Sequence, residues 1–299
     1  MVDNNGLHTE PFLGRVSMLC FLYGPGEPGR YHAHTEPFRL TRCLIFDIKF
    51  PTLEHEPMDE SITYVPVEFK YNGVLDLACD AAFQLKLSRD TDSSYVMNRH
   101  AGASILSSAL LLESTANALL ATLDLSSRMS QDVDKLSVLA KFELFTKFAN
   151  PDAEFDRGSS TIQRIQELIR ARNDFVHPKT KPIPTDITGF GPNESGQWAM
   201  PFELTGEKYG CLGIPKRSMF WNADNAESVL RATIAFLKFM ICDIASFTPD
   251  NAQTSLHSYL QVGDASVIAT FDEFRTELSN LNDLNIDLSF LGVAPIQDA

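Results

Sequence analysis

The sequence predicts an α+β protein in which a β-rich module precedes a predominantly α-helical bundle. Residues 1 to about 73 contain short runs of alternating apolar and polar residues, separated by clusters of Gly and Pro, as in strands and turns. From about residue 95 the apolar residues recur with the period of an α-helix. We therefore expect a β-containing module at residues 1–90, a helical domain at 91–250, and a C-terminal helix and tail at 251–299.

The N-terminal module is expected to contain three strands, Val16–Tyr23, Arg42–Phe50 and Ile62–Tyr71. The Gly- and Pro-rich segment 24–29 separates the first two. The next segment, Val74–Leu87, fits either a helix or a further strand.

The helical domain is expected to contain four helices. Three of them are Ser94–Leu123, Val133–Ala149 and Ser159–Val176. The fourth opens with Asp224-x-x-Glu227, which has the pattern of a capping box, and continues to Phe247. It is apolar enough to be the central helix, and one more helix is predicted at Asp264–Leu281.

The third and fourth helices are separated by a Gly- and Pro-rich insertion at residues 179–221. It is far longer than the connection of about 2 to 8 residues that is usual in a bundle. The insertion could cover the end of the third helix as a flap, with Trp198, Tyr209 and Trp221 as stacking platforms for a base. The alternative, which the usual burial of large aromatic side chains favours, is that they fold the insertion onto the bundle.

The composition argues against broad binding of nucleic acids. The 299 residues carry a formal net charge of −14, and sequence-independent binding relies on Lys and Arg. Residues 1–12 lack the basic and apolar pattern of a signal peptide, and the apolar stretch 103–123 contains Glu113 and a polar face. The five scattered cysteines fit reduced thiols. We expect a cytoplasmic protein without a membrane partner.

The third helix ends in the segment Arg-Asn-Asp-Phe-Val-His-Pro at residues 172–178. Pro178 disfavours helical backbone at the residue before it, so the helix should stop at or before His177. Arg172 falls within the apolar stripe of this helix, and Glu113 falls within that of the first. Because an unpaired buried charge is costly, we expect Glu113 and Arg172 to form an ion pair inside the bundle.

Basic residues cluster around this segment. Arg170, Arg172, Lys179 and Lys181 stand against a single acidic residue, Asp174. They predict a local phosphate-binding surface, in which Arg170, Lys179 and Lys181 contact the substrate. The alternative is an ordinary solvated helix end.

The spacing Arg-Asn-x-x-x-His resembles the signature of the HEPN family (higher eukaryotes and prokaryotes nucleotide-binding). The organisation of residues 95 to 250 is also similar to that family. The resemblance implies a compact helical bundle. In many members the bundle is a metal-independent ribonuclease that acts as a homodimer, with two copies of the motif facing one cleft. Other members are inactive and bind nucleotides or partners.

The motif supplies residue types that RNA cleavage needs. Cleavage requires a base for the 2′-hydroxyl, a cation for the phosphorane, and an acid for the leaving 5′-oxygen. We assign the base to His177, the cation to Arg172 and the acid to a second His177 in a dimer. Asn173 is expected to orient the His177 ring, unless it is only a polar cap. A purely structural role for Arg172 stays open.

No metal or cofactor is expected. The segment His32-Ala33-His34-Thr35-Glu36 could place metal ligands on one face of a strand, but its Gly- and Pro-rich surroundings favour a loop. The resemblance therefore predicts a metal-independent endoribonuclease, such as the toxins and other enzymes used in bacterial stress or antiviral defence. The alternative is a non-catalytic module that binds nucleotides or a protein partner.

Overall fold

The computed structural model describes residues 68–180, 191–192, 194–196, 198–199, 207–262, 265–268, 278, 284 and 286–293. All of them belong to one compact unit that spans residues 62–299. The predicted strands Val16–Tyr23 and Arg42–Phe50, the segment His32–Glu36, and Lys181 lie outside the described residues.

The described chain is mostly helical with two small sheets, in agreement with a helical or α+β class. Its helices are α1 (Val74–Arg89), α2 (Ser94–Ala121), α3 (Ser127–Val133), α4 (Val138–Ala149), α5 (Ser160–Val176), α6 (Ala223–Lys238) and α7 (Pro249–Leu256). Its strands are β1 (Glu68–Lys70), β2 (Gly191–Pro192), β3 (Trp198–Ala199), β4 (Tyr259–Val262) and β5 (Ala265–Ile268).

Serine side chains begin most of the central helices. Ser93, Ser137 and Ser159 each accept a hydrogen bond from the backbone N–H three residues later, and each thereby satisfies a donor that the first turn leaves open. The predicted first and third helices are confirmed as α2 and α5. The predicted second helix, Val133–Ala149, is confirmed only from Val138, as α4, because Ser137 caps its start; Val133 is instead the last residue of α3.

The predicted fourth helix begins differently from the expectation. The capping box of α6 is formed by Asn222 and Asn225, not by Asp224 and Glu227. After Lys238 the chain continues as a π-helical segment, Phe239–Ile244. The central helix is α2, which packs against α1, α4, α5, α6 and α7, so the prediction that the fourth helix is central was wrong.

The undecided segment after β1 is the helix α1. Its small residues allow close packing against α2, and Ala78, Ala81 and Ala82 are almost fully buried. The predicted module boundary at residue 90 therefore lies beyond a helix that belongs to the bundle.

The larger sheet joins residues that are distant in the chain. Its order is β1-β4-β5 and all pairs are antiparallel, with Phe69 opposite Leu260 and Leu260 opposite Val267. The prediction of a helix at Asp264–Leu281 was thus wrong for its first residues, which form β5. The sheet connects the segment before α1 to the segment after α7.

One described helix, α2, is long and apolar enough to span a membrane. Its most apolar window is 56% buried within the fold, as in the core helix of a soluble protein.

Candidate functional site

The C-terminal end of α5 carries the motif and lies at the surface. The helix buries Ile162, Ile165 and Leu168 against the core, but every residue from Asn173 to Thr180 is exposed. The helix ends at Val176, and the backbone N–H of His177 donates to the carbonyl of Asn173 at 2.9 Å. The predicted end of the helix before Pro178 is confirmed.

Arg172 is held by two neighbours at this end. Its Nη1 donates to Oδ1 of Asn173 at 3.0 Å, and its Nη2 lies 3.8 Å from Oε2 of Glu113 on α2. A guanidinium has five N–H donors, and among the described residues only Asn173 accepts a hydrogen bond from Arg172. Within the described part of the chain, the other donors make no hydrogen bond, although Nη2 faces the carboxylate of Glu113.

The Glu113–Arg172 pair exists, but it does not lie inside the bundle. The side chains of Arg172 and Glu113 are 33% and 43% exposed to solvent. Glu113 is partly exposed although α2 has buried residues on either side of it, whereas Arg172 directly follows Ala171, the last buried residue of α5. The expectation of a buried ion pair was therefore wrong, and the pair stabilises the fold only weakly.

The amide of Asn173 acts on Arg172 and not on the histidine ring. Its Oδ1 is the acceptor for Nη1 of Arg172, and its backbone carbonyl is the acceptor for the N–H of His177. The predicted orientation of the His177 ring by Asn173 is therefore not what the structure shows. Asn173 instead fixes the guanidinium of Arg172, five residues before the exposed His177.

The described end of the insertion packs beside the motif as a short hairpin, residues 207–216. Lys208 and Pro215 form an antiparallel bridge, and the N–H of Tyr209 donates to the carbonyl of Ile214 at 2.9 Å. Gly213 turns the chain with φ of 77°, a conformation that favours glycine.

Two carboxylates of α5 anchor this hairpin. Oε2 of Glu167 accepts hydrogen bonds from the backbone N–H groups of Cys211 and Leu212, at 2.9 and 2.7 Å. The hydroxyl of Tyr209 donates to Oδ2 of Asp174 at 3.2 Å. Burial and the charge of Asp174 raise the pKa of Tyr209 to about 12, so this hydroxyl keeps its proton at neutral pH.

A second contact, with Trp221, supports the last turn of α5. The Phe175 ring stacks on Trp221, with ring centres 5.7 Å apart and planes at 15°. The Trp221 indole N–H donates to the carbonyl of Pro215, and Asn98 on α2 donates to the carbonyl of Trp221. Trp221 and Tyr209 are 2% and 7% exposed, so the alternative that they fold the insertion onto the bundle is confirmed for both.

The charge around the motif is more basic than that of the protein as a whole. Arg170 and Lys179 are exposed, and Asp174, the acidic residue of this segment, is occupied by Tyr209. Among the described residues no group of three or more His, Cys, Asp and Glu side chains is placed to hold a metal ion. The end of α5 therefore offers a guanidinium, an imidazole and flanking cations.

Comparison of the chain with protein-family models, with curated proteins and with solved structures finds no match.

Proposed function

We propose that the protein is a metal-independent endoribonuclease of the HEPN type, with its site at the end of α5. The observation that carries the proposal is that a partly exposed Arg172, oriented by Asn173, and an exposed His177 lie at the same end of α5. The guanidinium is oriented by Asn173 at 3.0 Å, yet most of its donors are unoccupied by the described residues. An oriented cation at the same helix end as an exposed imidazole fits phosphoryl transfer, where charge develops on the phosphate oxygens.

The chemistry follows from these groups. An imidazole removes the proton of a ribose 2′-hydroxyl, and the 2′-oxygen attacks the adjacent phosphorus. Arg172 stabilises the charge on the pentavalent phosphorane. The bond to the 5′-oxygen breaks, and a second imidazole protonates that oxygen. The products are a 2′,3′-cyclic phosphate and a free 5′-hydroxyl, so the substrate supplies its own nucleophile.

The second imidazole requires a homodimer, because the motif has one histidine. We propose that the partner's His177 faces the same cleft across a two-fold axis. The exposure of the whole segment from Asn173 to Thr180 leaves this end of α5 accessible to such a partner. Arg170, Lys179 and Lys181 would then flank the RNA on both sides. We place this activity in the cytoplasm, in bacterial stress or defence.

A second function has its own supporting observation. The net charge of −14 opposes binding to long nucleic acids, and it favours a non-catalytic module that binds a nucleotide or a protein partner through the same surface. The two functions differ in whether the bound phosphodiester is cleaved.

Cleavage of single-stranded RNA in the presence of EDTA separates them. We expect the wild-type protein to leave 2′,3′-cyclic phosphate ends. We expect His177→Ala and Arg172→Gln each to reduce the rate at least about a hundredfold, as removal of a general base or of an electrostatic stabiliser does. His100→Ala is the matched control, because His100 is bonded to Gln84 at 2.7 Å on another part of the bundle.

The outcome for the control decides how a loss is interpreted. Full activity of His100→Ala with loss in the two motif variants supports the ribonuclease. Intact RNA after incubation with the wild-type protein overturns it in favour of the binding module. Cleavage by a protein that sediments as a monomer at micromolar concentration would contradict the composite site, but not the ribonuclease activity.

A further inference from the structure

A groove of about 300 Å³ lies where β1 and the loop that follows it meet α2, α7 and β4. None of the three motif residues lines it. Its volume is at the lower end of the range of about 300 to 1,000 Å³ that small-molecule sites occupy. The groove is therefore large enough for a ligand of sugar size.

The walls of the groove are held together by hydrogen bonds between distant parts of the chain. The N–H of Asn72 donates to Oγ of Ser258 at 2.8 Å, and Oγ of Ser258 donates to the carbonyl of Asn72 at 3.1 Å. The amide nitrogen of Asn72 donates to the carbonyl of Ser255 at 3.1 Å. These bonds connect segments that are more than 180 residues apart, so the folded protein forms the groove without a ligand.

The described lining of the groove carries positive charge and no negative charge. Lys70 is among the described lining residues, and none of these is Asp or Glu, although the protein has 39 acidic residues. The Lys70 ammonium lies 5.4 Å from the centre of the Tyr259 ring, which places the charge at the groove. An acidic protein thus has a groove that is favourable to an anion.

Hydrogen-bond donors extend along the α2 side of the groove. Oδ1 of Asn117 accepts from Nζ of Lys141 at 2.7 Å, and Lys141 is only 4% exposed. Because an ammonium occupies that oxygen, the NH₂ group of Asn117 is the part of the amide that can bind a further partner, as a donor. Ser114 and Thr122 add hydroxyl groups to the same wall.

A buried histidine adds an acceptor. His257 lines the groove and is 2% exposed, and its Nε2 donates to the carbonyl of Leu291 at 2.7 Å. Nδ1 is then an acceptor, and it is buried with no hydrogen-bond partner among the described residues. Burial lowers the pKa of His257, so the ring is neutral at neutral pH. Buried polar atoms are normally satisfied, so an acceptor without a described partner is an exception beside this groove.

We propose that this groove binds a small hydroxylated oxyanion, that is, a phosphate or carboxylate group on a sugar-sized polyhydroxylated skeleton. Lys70 and the donors of Asn117 and Ser114 receive the oxyanion, and the remaining hydroxyl groups of the lining contact the skeleton. The proposal does not depend on the ribonuclease activity, because the motif residues lie outside the groove.

Isothermal titration of the protein with glucose 6-phosphate, glucuronate and glucose tests the charge preference. The three probes share a pyranose ring, and they carry a phosphate, a carboxylate and no charge. We expect at least one anion to bind about fivefold or more tighter than glucose, as expected for one added charged contact in a partly exposed site. Phosphate and carboxylate are distinguished by which probe binds better. Equal binding of glucose, or no heat from either anion at millimolar concentration, would overturn the proposal.

Two variants localise the binding to the groove. Lys70→Met should remove the preference for the anion, and Ser114→Leu should fill the groove and weaken all binding. Lys147→Met is the matched control, because Lys147 is exposed on α4 and does not line the groove. Anion affinity that is unchanged in both groove variants, with native circular dichroism, would place the binding elsewhere and contradict the proposal.

Discussion

The two ends of α5 contrast within a single helix. Near its start, Ile162, Ile165 and Leu168 are at most 2% exposed, whereas Phe175 and Val176 in the last turn are 40% and 42% exposed. In the sequence, the apolar residues of both ends recur at helical spacing. The first part of the helix packs on the core and stabilises the fold, whereas the last turn is only partly covered, by Trp221 on Phe175 and by Tyr209 on Asp174, and leaves Asn173, Val176 and His177 exposed.

Truncation of a core residue in the first part should have the largest effect on stability. Leu168 is fully buried, and Leu168→Ala should lower the free energy of unfolding by about 2 to 5 kcal/mol, because it removes apolar contacts and leaves a cavity. Val176→Ala, in the exposed turn, should cost less than about 1 kcal/mol. Urea unfolding measures both. Equal losses in the two variants would remove the distinction between the two ends.

The anchor of the hairpin should have an intermediate effect. Glu167→Ala leaves the N–H groups of Cys211 and Leu212 without their acceptor, and it should cost about 1 to 3 kcal/mol. Hydrogen exchange of these two amides should become faster. Glu143→Ala is the control, since among the described residues Glu143 makes hydrogen bonds only with the exposed side chain of Arg157, and its loss should cost less than about 1 kcal/mol. Unchanged exchange at Cys211 and Leu212 would show that Glu167 does not hold the hairpin.

The smallest effect is expected for the ion pair at the motif. Glu113→Ala should change the free energy of unfolding by less than about 1 kcal/mol, because both partners are partly exposed and lie 3.8 Å apart. Urea unfolding at low and high salt is the measurement. A loss above about 3 kcal/mol would mean that the pair is buried, as the sequence suggested, and would move the motif into the core.

Local chemistry explains which parts of this fold could be predicted. The bounds of α5 follow from Ser159 at its start and Pro178 just beyond its end, and both act within one turn. The exposure of Arg172 could not be predicted. The spacing of apolar residues shows which side of the helix faces the core, but not how far along that side the neighbouring elements cover it.

Elements that form only through contacts with residues distant in the chain also could not be predicted from the sequence. The strand β5 exists because β4 pairs with it, and the same residues had been assigned to a helix. The hairpin 207–216 rests on Glu167, which is more than 40 residues earlier in the chain. The groove beside β1 needs contacts between residues 72 and 258, and no local pattern in the sequence marks such a pair.

We propose that the exposed turn of α5 serves catalysis and contributes little to stability. The RNA cleavage rate and the free energy of unfolding of His177→Ala, determined on the same sample, test this. We expect a rate at least about a hundredfold below wild type and a free energy of unfolding within about 1 kcal/mol of the wild-type value. A folded His177→Ala protein that cleaves RNA as fast as the wild type would contradict it.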